Sequence, residues 1–284
     1  MQFVEYLNLP NCIRLSNGEV EVVVTTEVGP RILSYAFVGG ENILGLHPNA
    51  RVETALGEFK PYGGHRLWIA PEHMPNSYVP DNSPVEYHYN LKENSIRLVQ
   101  PIDEITRTQK ELLVRLDATG SGLSIDHTIT NRGTVAVEMA CWALTVMRAG
   151  GVCEIPNEQW ESYGTETLLP TRSLALWPYT DLSDSRWQFD KEFIRLRVDG
   201  AKSEPQKIGV LNKRGWVGYR LQDQQFVKRF AYDEEAVYPD LNSNTEVYTA
   251  GDFIEVETLA PLRTLNSGES SEHSERWELT STRT

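Results

Sequence analysis

Short strand-like runs follow one another along almost the whole chain, and this pattern constrains the fold more than any other feature. In each run, apolar or β-branched residues recur at alternate positions or without interruption, which is the spacing of a β-strand. Turn-forming sequences such as Ser16-Asn17-Gly18 and Asn131-Arg132-Gly133 separate the runs. No long stretch carries apolar residues at helical spacing. The pattern predicts an all-β, mostly antiparallel chain, and its clearest runs are VEVVVTT, RILSYAF, ELLVRLDA, LSIDHTIT, VAVEMACWALTVM and FIEVETLAPL.

The length and spacing of these runs favour one domain. A chain of 284 residues fits a single large β-sandwich or barrel, and no low-complexity linker or change of composition divides it. The segment from about 154 to 190 differs, because its tryptophans, tyrosines and prolines follow no regular period. We expect a long aromatic-rich loop there, either held to the sandwich by its own side chains or supplying one of them to a site. The predicted architecture is a single-domain, large antiparallel β-sandwich over residues 1–284.

Acidic residues outnumber basic ones, which argues against several classes of partner. With 40 Asp and Glu against 27 Lys and Arg, the formal net charge is -13. Such a field repels nucleic acids and anionic membrane surfaces. A neutral polar ligand such as a sugar fits more easily, so the expected partner is a small molecule and neither a nucleic acid nor a membrane.

Cysteine usage and hydropathy indicate the compartment. Cys12, Cys141 and Cys153 are odd in number and show no CxxC spacing, so they predict neither a disulfide framework nor a zinc site. The first residues, MQFVEYLNLPNC, lack the basic and apolar regions of a signal peptide. No apolar segment approaches the roughly 20 residues that a membrane span needs. We therefore expect a soluble, cytoplasmic protein.

Two glutamates near the C-terminus share one face of a predicted strand. In the run FIEVETL, alternation places Glu255 and Glu257 on one side, while Ile254 and Val256 take the opposite, core-facing side. Two neighbouring carboxylates disfavour double ionisation, so the pKa of one can rise toward neutrality, where a general acid or base works best. The alternative is that both are solvated or paired with lysine or arginine on the next strand.

A second polar cluster surrounds a Gly-Gly turn in the stretch KPYGGHRLWIAPEH, residues 60–73. It contains His65, Arg66, Trp68 and His73. An arginine can hold a hydroxyl or carboxylate with two hydrogen bonds. A tryptophan can either fill a core or cover the apolar face of a sugar ring, and core packing is expected for Trp68. Periodicity alone does not decide between a functional site and a polar turn.

Short motifs recur through the last forty or so residues. Glu246-Val-Tyr-Thr249 is followed by a strand with Glu257-Thr258 and a proline, and then by the turn Asn266-Ser267-Gly268-Glu269 before the last strand. This succession resembles the C-terminal motifs of the aldose 1-epimerase (galactose mutarotase) superfamily. The resemblance implies a galactose mutarotase-like sandwich, an isomerase of the aldose 1-epimerase type and a neutral monosaccharide or sugar derivative as substrate. It places Glu257 at the family's catalytic base.

The same resemblance indicates a candidate acid. The family's first site motif is an Asn-x-x-His-Gly-Gly element, and Gly63-Gly64-His65-Arg66 lies in the corresponding region with the order inverted. The family's second histidine falls near Trp142, where this chain has no histidine. The implied mechanism opens and recloses the ring at the anomeric carbon without a cofactor. Glu257 takes the proton of the C1 hydroxyl, while His65 protonates the ring oxygen.

Several polar and aromatic residues are candidates for sugar contacts. Arg31 follows a Gly-Pro turn and is as well suited to a structural ion pair, and Asp240 also suits an Asx turn. His127, between apolar residues in its run, is expected on a strand surface. The predicted substrate-binding set is Arg31, Arg66, His73, Trp142, Asp240 and Glu255.

No metal site is predicted. Oxygen-bearing side chains alternate from Asp240 to Glu246, but the glycine and the terminal glutamate of a calcium-binding EF-hand loop are missing. A cupin-like metal centre of His65, His73 and Glu72 is disfavoured, because the cupin pattern has two histidines one residue apart.

One rival function stays open beside the epimerase. The missing second histidine favours a non-catalytic carbohydrate-binding module on the same sandwich, which contacts sugars without turning them over. The sequence identifies neither the sugar nor the oligomeric state.

Overall fold

Two large antiparallel β-sheets form the protein, one of 11 strands and one of 10. The computed structural model describes residues 1–74 and 76–281. The predicted all-β, antiparallel sandwich is confirmed. The strands are β1 (Gln2–Tyr6), β2 (Leu9–Ser16), β3 (Val20–Thr25), β4 (Arg31–Phe37), β5 (Leu46–His47), β6 (Val52–Thr54), β7 (Gly57–Phe59), β8 (Tyr62–Gly63), β9 (His65–Ala70), β10 (Glu86–Asn90), β11 (Ser95–Val99), β12 (Thr108–Leu116), β13 (Leu123–Asn131), β14 (Val137–Met147), β15 (Val152–Pro156), β16 (Leu174–Leu176), β17 (Trp187–Phe189), β18 (Phe193–Arg197), β19 (Gln206–Val210), β20 (Trp216–Leu221), β21 (Gln224–Phe230), β22 (Thr245–Ala250), β23 (Phe253–Leu259), β24 (Arg263–Leu265) and β25 (Ser270–Ser281).

The strand orders show how distant segments meet. The 11-stranded sheet has the order β1-β2-β3-β4-β9-β14-β23-β22-β19-β16, with β24 paired to β14. The 10-stranded sheet has the order β10-β11-β12-β13-β25-β21-β20-β15-β18-β17. A 3₁₀ turn covers Asn76–Tyr78, and a four-residue helical turn, α1, covers Pro239–Asn242. Within the described parts of the chain, no helix is long and apolar enough to span a membrane.

Side-chain burial follows the alternation that the sequence predicts, with one informative exception. Along β12, buried and half-buried positions alternate from Thr108 to Leu116, as expected for a sheet with one covered face. In β14 every residue from Met139 to Met147 is buried. A strand buried on both faces needs a covering on each side. The second sheet covers one side of β14, and loops that enclose a cavity cover the other.

The aromatic-rich segment predicted as a long loop contains two short strands. The edge strand β16 pairs with β19 in the larger sheet, and β17 pairs with β18 in the smaller one. Between β15 and β16 the backbone is irregular. The segment therefore connects the ends of both sheets, and it brings its residues 177–179 to the cavity.

The Gly-Gly pair in the stretch 60–73 is required by the backbone. Gly63 and Gly64 have φ angles of 77° and 69°, which residues with a side chain rarely adopt. A Cβ on Gly64 would lie 2.2 Å from the carbonyl oxygen of Ile32. The pair turns the chain tightly into β9, so it sets which residues of β9 face the core and which face outward.

A chain of histidines crosses the core between the sheets. The His127 Nδ1–H donates to the backbone carbonyl of His273 (2.8 Å), so His127 Nε2 accepts the His65 Nε2–H (2.7 Å). The His65 Nδ1 in turn accepts the Thr145 hydroxyl (2.8 Å). Burial lowers the pKa of His65 and of His127, and it lowers that of His273 to about 3. The prediction that His127 lies on a strand surface is wrong, because it is fully buried.

A buried ion pair completes this core network. Lys228 Nζ lies 2.9 Å from Glu275 Oε1, and both side chains are fully buried. Glu275 also accepts the indole N–H of Trp277 (2.8 Å) and the hydroxyl of Thr258. Burial alone would raise the pKa of Glu275, but the attraction of Lys228 outweighs it and holds that pKa below its ordinary value. The carboxylate is thus ionised and supplied with donors on both oxygens.

Lys228→Met is expected to lower the free energy of unfolding by about 3–5 kcal/mol, because it leaves the Glu275 carboxylate in the core without its cation. The double variant Lys228→Met/Glu275→Gln is expected to lose less than the sum of the two single variants, since it removes both charges together. Urea denaturation at neutral pH measures each loss, with Lys213→Met at an exposed position as the control. Additive losses would contradict a coupled pair.

Candidate functional site

A cavity of about 670 Å³ lies on the face of the 11-stranded sheet that points away from the other sheet. Side chains of β9, β14, β19, β22 and β23 form its floor, and its walls are formed by residues from the segments 47–61 and 177–179 together with Glu72 and Tyr78. This volume and a mixed aromatic and polar lining are typical of a small-molecule site. The aromatic side chains in its lining are Phe59, Trp68, Tyr78, Trp142, Trp177, Tyr179, Tyr248 and Phe253.

The aromatic rings at one end hold one another edge to face. The Trp68 ring lies 5.4 Å from the Trp142 ring at an interplanar angle of 77°, and 4.7 Å from the Tyr78 ring. Trp68 and Trp142 are direct cross-strand neighbours on β9 and β14. Such contacts restrain the rings, so they present a preformed apolar surface to the cavity.

Lys207 lies at the centre of the floor between two carboxylates. Its Nζ is 2.7 Å from Glu246 Oε2 and 3.2 Å from Glu257 Oε2. The same Nζ lies 4.7 Å from the ring centroids of both Trp142 and Trp177. Lys207 lines the cavity, whereas the two glutamates lie beneath it, Glu257 with 1% and Glu246 with 0% of its surface exposed.

This cluster carries one cation against two carboxyl groups. Glu257 Oε2 also accepts the indole N–H of Trp142 (2.8 Å), but Glu257 Oε1 and Glu246 Oε1 accept no hydrogen bond from the described residues. A second buried anion without a donor costs several kcal/mol, so the cluster retains a proton. Trp142 favours the ionised form of Glu257, which leaves Glu246 as the neutral acid.

The pKa directions agree with one retained proton. Burial raises the pKa of Glu246 well above its ordinary value, with Lys207 opposing it and the nearby Glu257 and Asp240 carboxylates adding to it. Burial also raises the pKa of Glu257, again opposed by Lys207. Burial alone would lower the pKa of Lys207, but Glu257 and Glu246 outweigh it and hold that pKa well above the usual range. Lys207 is therefore a cation at neutral pH.

A second ion pair closes another part of the floor. Arg66 Nη2 donates to Glu255 Oε1 at 3.0 Å, and the Arg66 guanidinium lies 4.4 Å from the ring centroid of Trp68. Both charged groups line the cavity. Their charges cancel locally, which leaves the unused N–H groups and lone pairs to hydrogen-bond a neutral ligand.

The structure brings four of the predicted site residues together. Arg66, Trp142 and Glu255 line the cavity, and Glu257 lies directly under it. The prediction that Glu255 and Glu257 share a face, opposite Ile254 and Val256, is confirmed. Trp68, expected to be core packing, lines the cavity as well. Their catalytic and binding roles stay predictions.

His65 is not part of this site. Because Arg66 faces the cavity, alternation directs its neighbour His65 into the core, opposite Thr145 on β14. It is 0% exposed and hydrogen-bonded to Thr145 and His127. The expected opposition of His65 to Glu257 across a sugar is therefore wrong, and the acid of any acid/base pair lies elsewhere.

The other predicted binding residues also lie outside the cavity lining. Arg31 is fully buried, with Nη2 donating to Asp81 Oδ1 (2.6 Å) and Nη1 to the carbonyl of Pro61 (2.7 Å). It thus forms the structural ion pair that the sequence offered as the alternative to a sugar contact. His73 is exposed on the loop after β9. Asp240 lies in α1 with a left-handed φ of 48°, in keeping with its turn alternative.

Sequence reasoning missed several residues of the site. The strand QKIGV holds Lys207 among buried residues, and a lysine in an apolar strand signals a buried charge that needs partners. The sequence placed Glu246 only in a motif and in a disfavoured calcium pattern, and Glu72 only in a disfavoured metal centre. The irregular spacing of the aromatic-rich segment hides which of its rings reach the sheet. The missed residues are His47, Glu72, Tyr78, Trp177, Tyr179, Lys207, Glu246, Tyr248 and Asp252.

No protein-family model matches the chain, and no curated protein matches it either. Solved structures do match in fold. A galactose mutarotase-like protein from Lactobacillus casei ATCC 334 has a TM-score of 0.56 and 10% identity over 95% of this chain and 100% of its own. A galactose mutarotase related enzyme from Lactobacillus acidophilus has a TM-score of 0.53 and 10% identity over 95% and 98%.

A TPR-domain containing protein from Parabacteroides distasonis ATCC 8503 also matches, with a TM-score of 0.63 and 13% identity over 95% of this chain. The chain spans 47% of that protein, about half its length. This chain therefore has the galactose mutarotase-like fold, as the sequence resemblance implied. At such low identities the likeness concerns the fold alone.

Glu246→Gln replaces the neutral acid by a neutral amide of the same shape. Above the ordinary pKa near 4.5, the folded wild type holds a proton that the unfolded chain has released. Its stability therefore falls with rising pH, and this dependence is absent from the variant. The variant is expected to gain stability relative to the wild type as the pH rises from about 5 through neutrality.

Urea denaturation of both proteins at several pH values measures this difference. Glu234→Gln, at an exposed position, is the control and should follow the wild type. If Glu246→Gln also ran parallel to the wild type across this range, Glu246 would not hold the proton.

Proposed function

We propose that this protein binds a neutral saccharide in the aromatic cavity. One observation carries the proposal: tryptophan rings and charged groups line the same cavity, and the charged groups already form ion pairs with one another. The faces of a pyranose are rich in C–H groups and pack on aromatic rings such as Trp142 and Trp177. Its hydroxyls both donate and accept, which suits Arg66 and Glu255.

Charge supports a neutral ligand over an anionic one. Arg66 is neutralised by Glu255, and Lys207 by the ionised Glu257 beneath it. The exposed carboxylates of Glu72 and Asp252 in the cavity wall add negative potential, as does the net charge of -13. A phosphorylated or carboxylated sugar would meet repulsion, and the described cations of the lining, Arg66 and Lys207, are already paired.

Isothermal titration calorimetry with glucose, galactose, mannose and xylose, and with the disaccharides lactose and maltose, tests the proposal. Trp177→Ala is expected to weaken binding about tenfold or more, since it removes one stacking ring. Trp160→Ala is the matched control, because Trp160 lies in the same segment, is 55% exposed and is absent from the cavity lining. Equal losses in both variants would exclude the cavity as the saccharide site. No binding across the panel would overturn saccharide binding altogether.

A second candidate function is epimerisation at the anomeric carbon. Glu257 Oε1 has no donor among the described residues, and Lys207 Nζ lies 3.2 Å from the other oxygen of this carboxylate. In this scheme Glu257 accepts the proton of the C1 hydroxyl, and Lys207 protonates the ring oxygen as the bond between C1 and that ring oxygen breaks. A carbonyl forms at C1, and reclosure on the other face returns both protons.

Burial places a condition on that scheme. Trp142 and Lys207 cover Glu257, so Lys207 has to turn toward the sugar before the carboxylate can reach C1. Binding needs no such movement, and it is therefore the function that the geometry supports best.

Glu257→Gln separates the two functions. If the protein is an epimerase, the variant is expected to slow anomer exchange by about 100-fold or more while it still binds the sugar, since the amide cannot act as a base. Exchange spectroscopy by NMR gives the rate, and calorimetry on the same samples gives the affinity. A wild type that binds a sugar without accelerating exchange is a binding protein only.

A further inference from the structure

The cavity is larger than one sugar ring needs. A hexopyranose occupies about 200 Å³ at the packing density of a protein interior, whereas the cavity has about 670 Å³. The tryptophans gather at one end, around Lys207. Phe253 and His47 lie at the other end, since Phe253 begins β23 and Leu259, the cross-strand neighbour of Trp142, ends it. That end is left open to a second group, and Tyr248 lies between the two ends, cross-strand to Lys207.

This open end leads into a further depression on the same surface. The depression has about 480 Å³, and it shares His47, Asp252 and Phe253 with the main cavity. Beyond them it is bounded by Arg148 and Ala149, which follow β14. The three shared residues therefore form a saddle between two adjoining compartments.

We propose that the ligand is a neutral oligosaccharide of at least two rings, with one ring over the tryptophans and the next over the saddle of His47, Asp252 and Phe253. This inference rests on the proposed saccharide binding and specifies the length of the ligand. A linear chain of neutral rings fits two connected compartments, each large enough for one ring and separated by an aromatic side chain.

The saddle has the chemistry that a second ring needs. The Phe253 ring packs 5.0 Å from His47 at 72° and 5.8 Å from Tyr248, so three rings hold one another in place. The exposed carboxylate of Asp252 accepts hydrogen bonds from hydroxyls. His47 Nε2 is buried without a hydrogen-bond partner among the described residues. A small rotation of the imidazole would let a ligand hydroxyl satisfy it.

The outer compartment also favours an uncharged chain. Arg148 Nη1 lies 2.7 Å from Glu41 Oε2, so the cation at this end is already paired. Asp252, which forms no ion pair with the described residues, adds negative charge at the saddle. An anionic polysaccharide would be repelled there. A neutral oligosaccharide needs no free cation, so the pairing of Arg148 with Glu41 does not weaken its binding.

The test is the ratio of monosaccharide to oligosaccharide dissociation constants, measured by calorimetry. The probes are glucose, galactose and mannose beside their β- and α-linked disaccharides and trisaccharides. At least one disaccharide is expected to bind about tenfold or more tightly than its monosaccharide. Ala149→Trp, which fills the outer compartment, is expected to reduce the advantage of the trisaccharide. Ala149→Ser, which nearly keeps the size of the native side chain, is the control.

Two further variants distinguish this inference from the proposed function. Phe253→Ala is expected to lower the ratio, and Trp177→Ala to weaken both ligands alike while the ratio is kept. Equal affinities for one and for several rings would overturn the oligosaccharide inference and leave saccharide binding intact. The absence of binding by every sugar would overturn both. A Phe253→Ala variant with an unchanged ratio would also exclude the saddle as a subsite.

Discussion

Side-chain alternation across four hydrogen-bonded strands is the constraint on which the rest of the structure depends. Residues directly opposite one another on β9, β14, β23 and β22 form rows that share one face of the sheet. A slip of one residue would exchange the two faces, so the register decides together which polar groups reach the cavity and which enter the core. One row is Arg66, Leu144, Glu257 and Glu246, on the cavity side, and the next is His65, Thr145, Val256 and Val247, on the core side.

The two faces carry buried charge in different ways. In the core, Glu275 has Lys228, Trp277 and Thr258 as donors. Hydrogen bonds assign the neutral tautomers of His65 and His127. Such a saturated network holds two sheets together and offers a ligand nothing. On the cavity face, Glu246 and Glu257 each keep an oxygen without a donor. Unsatisfied groups next to a cavity mark the side on which chemistry or binding is to be sought.

The strand pattern carried most of the fold but only part of the site. Alternation alone put Glu255 and Glu257 on one face, and the structure agrees. The same rule applied to β9 puts His65 and Arg66 on opposite faces, so only one of these two predicted site residues can face a ligand, and it is Arg66. The role of Lys207 could not be predicted, because Lys207 meets Glu246 and Glu257 only when β22 lies between β19 and β23. No local pattern encodes a strand order that links residues so far apart in the chain.

The amino-acid sequence by itself determined the all-β character, the antiparallel pairing of neighbouring runs and the sharing of a face by residues two apart, because these follow from local stereochemistry. It also determined the tight Gly63-Gly64 turn, since residues with a Cβ rarely take that backbone and a Cβ on Gly64 would clash with the Ile32 carbonyl. Only the tertiary structure decided which face of β9 meets the core, which lysine neutralises Glu257 and which rings of the aromatic-rich segment reach the cavity. Those outcomes depend on contacts between distant strands and loops, and the free energy of such contacts exists only once the sheets have formed.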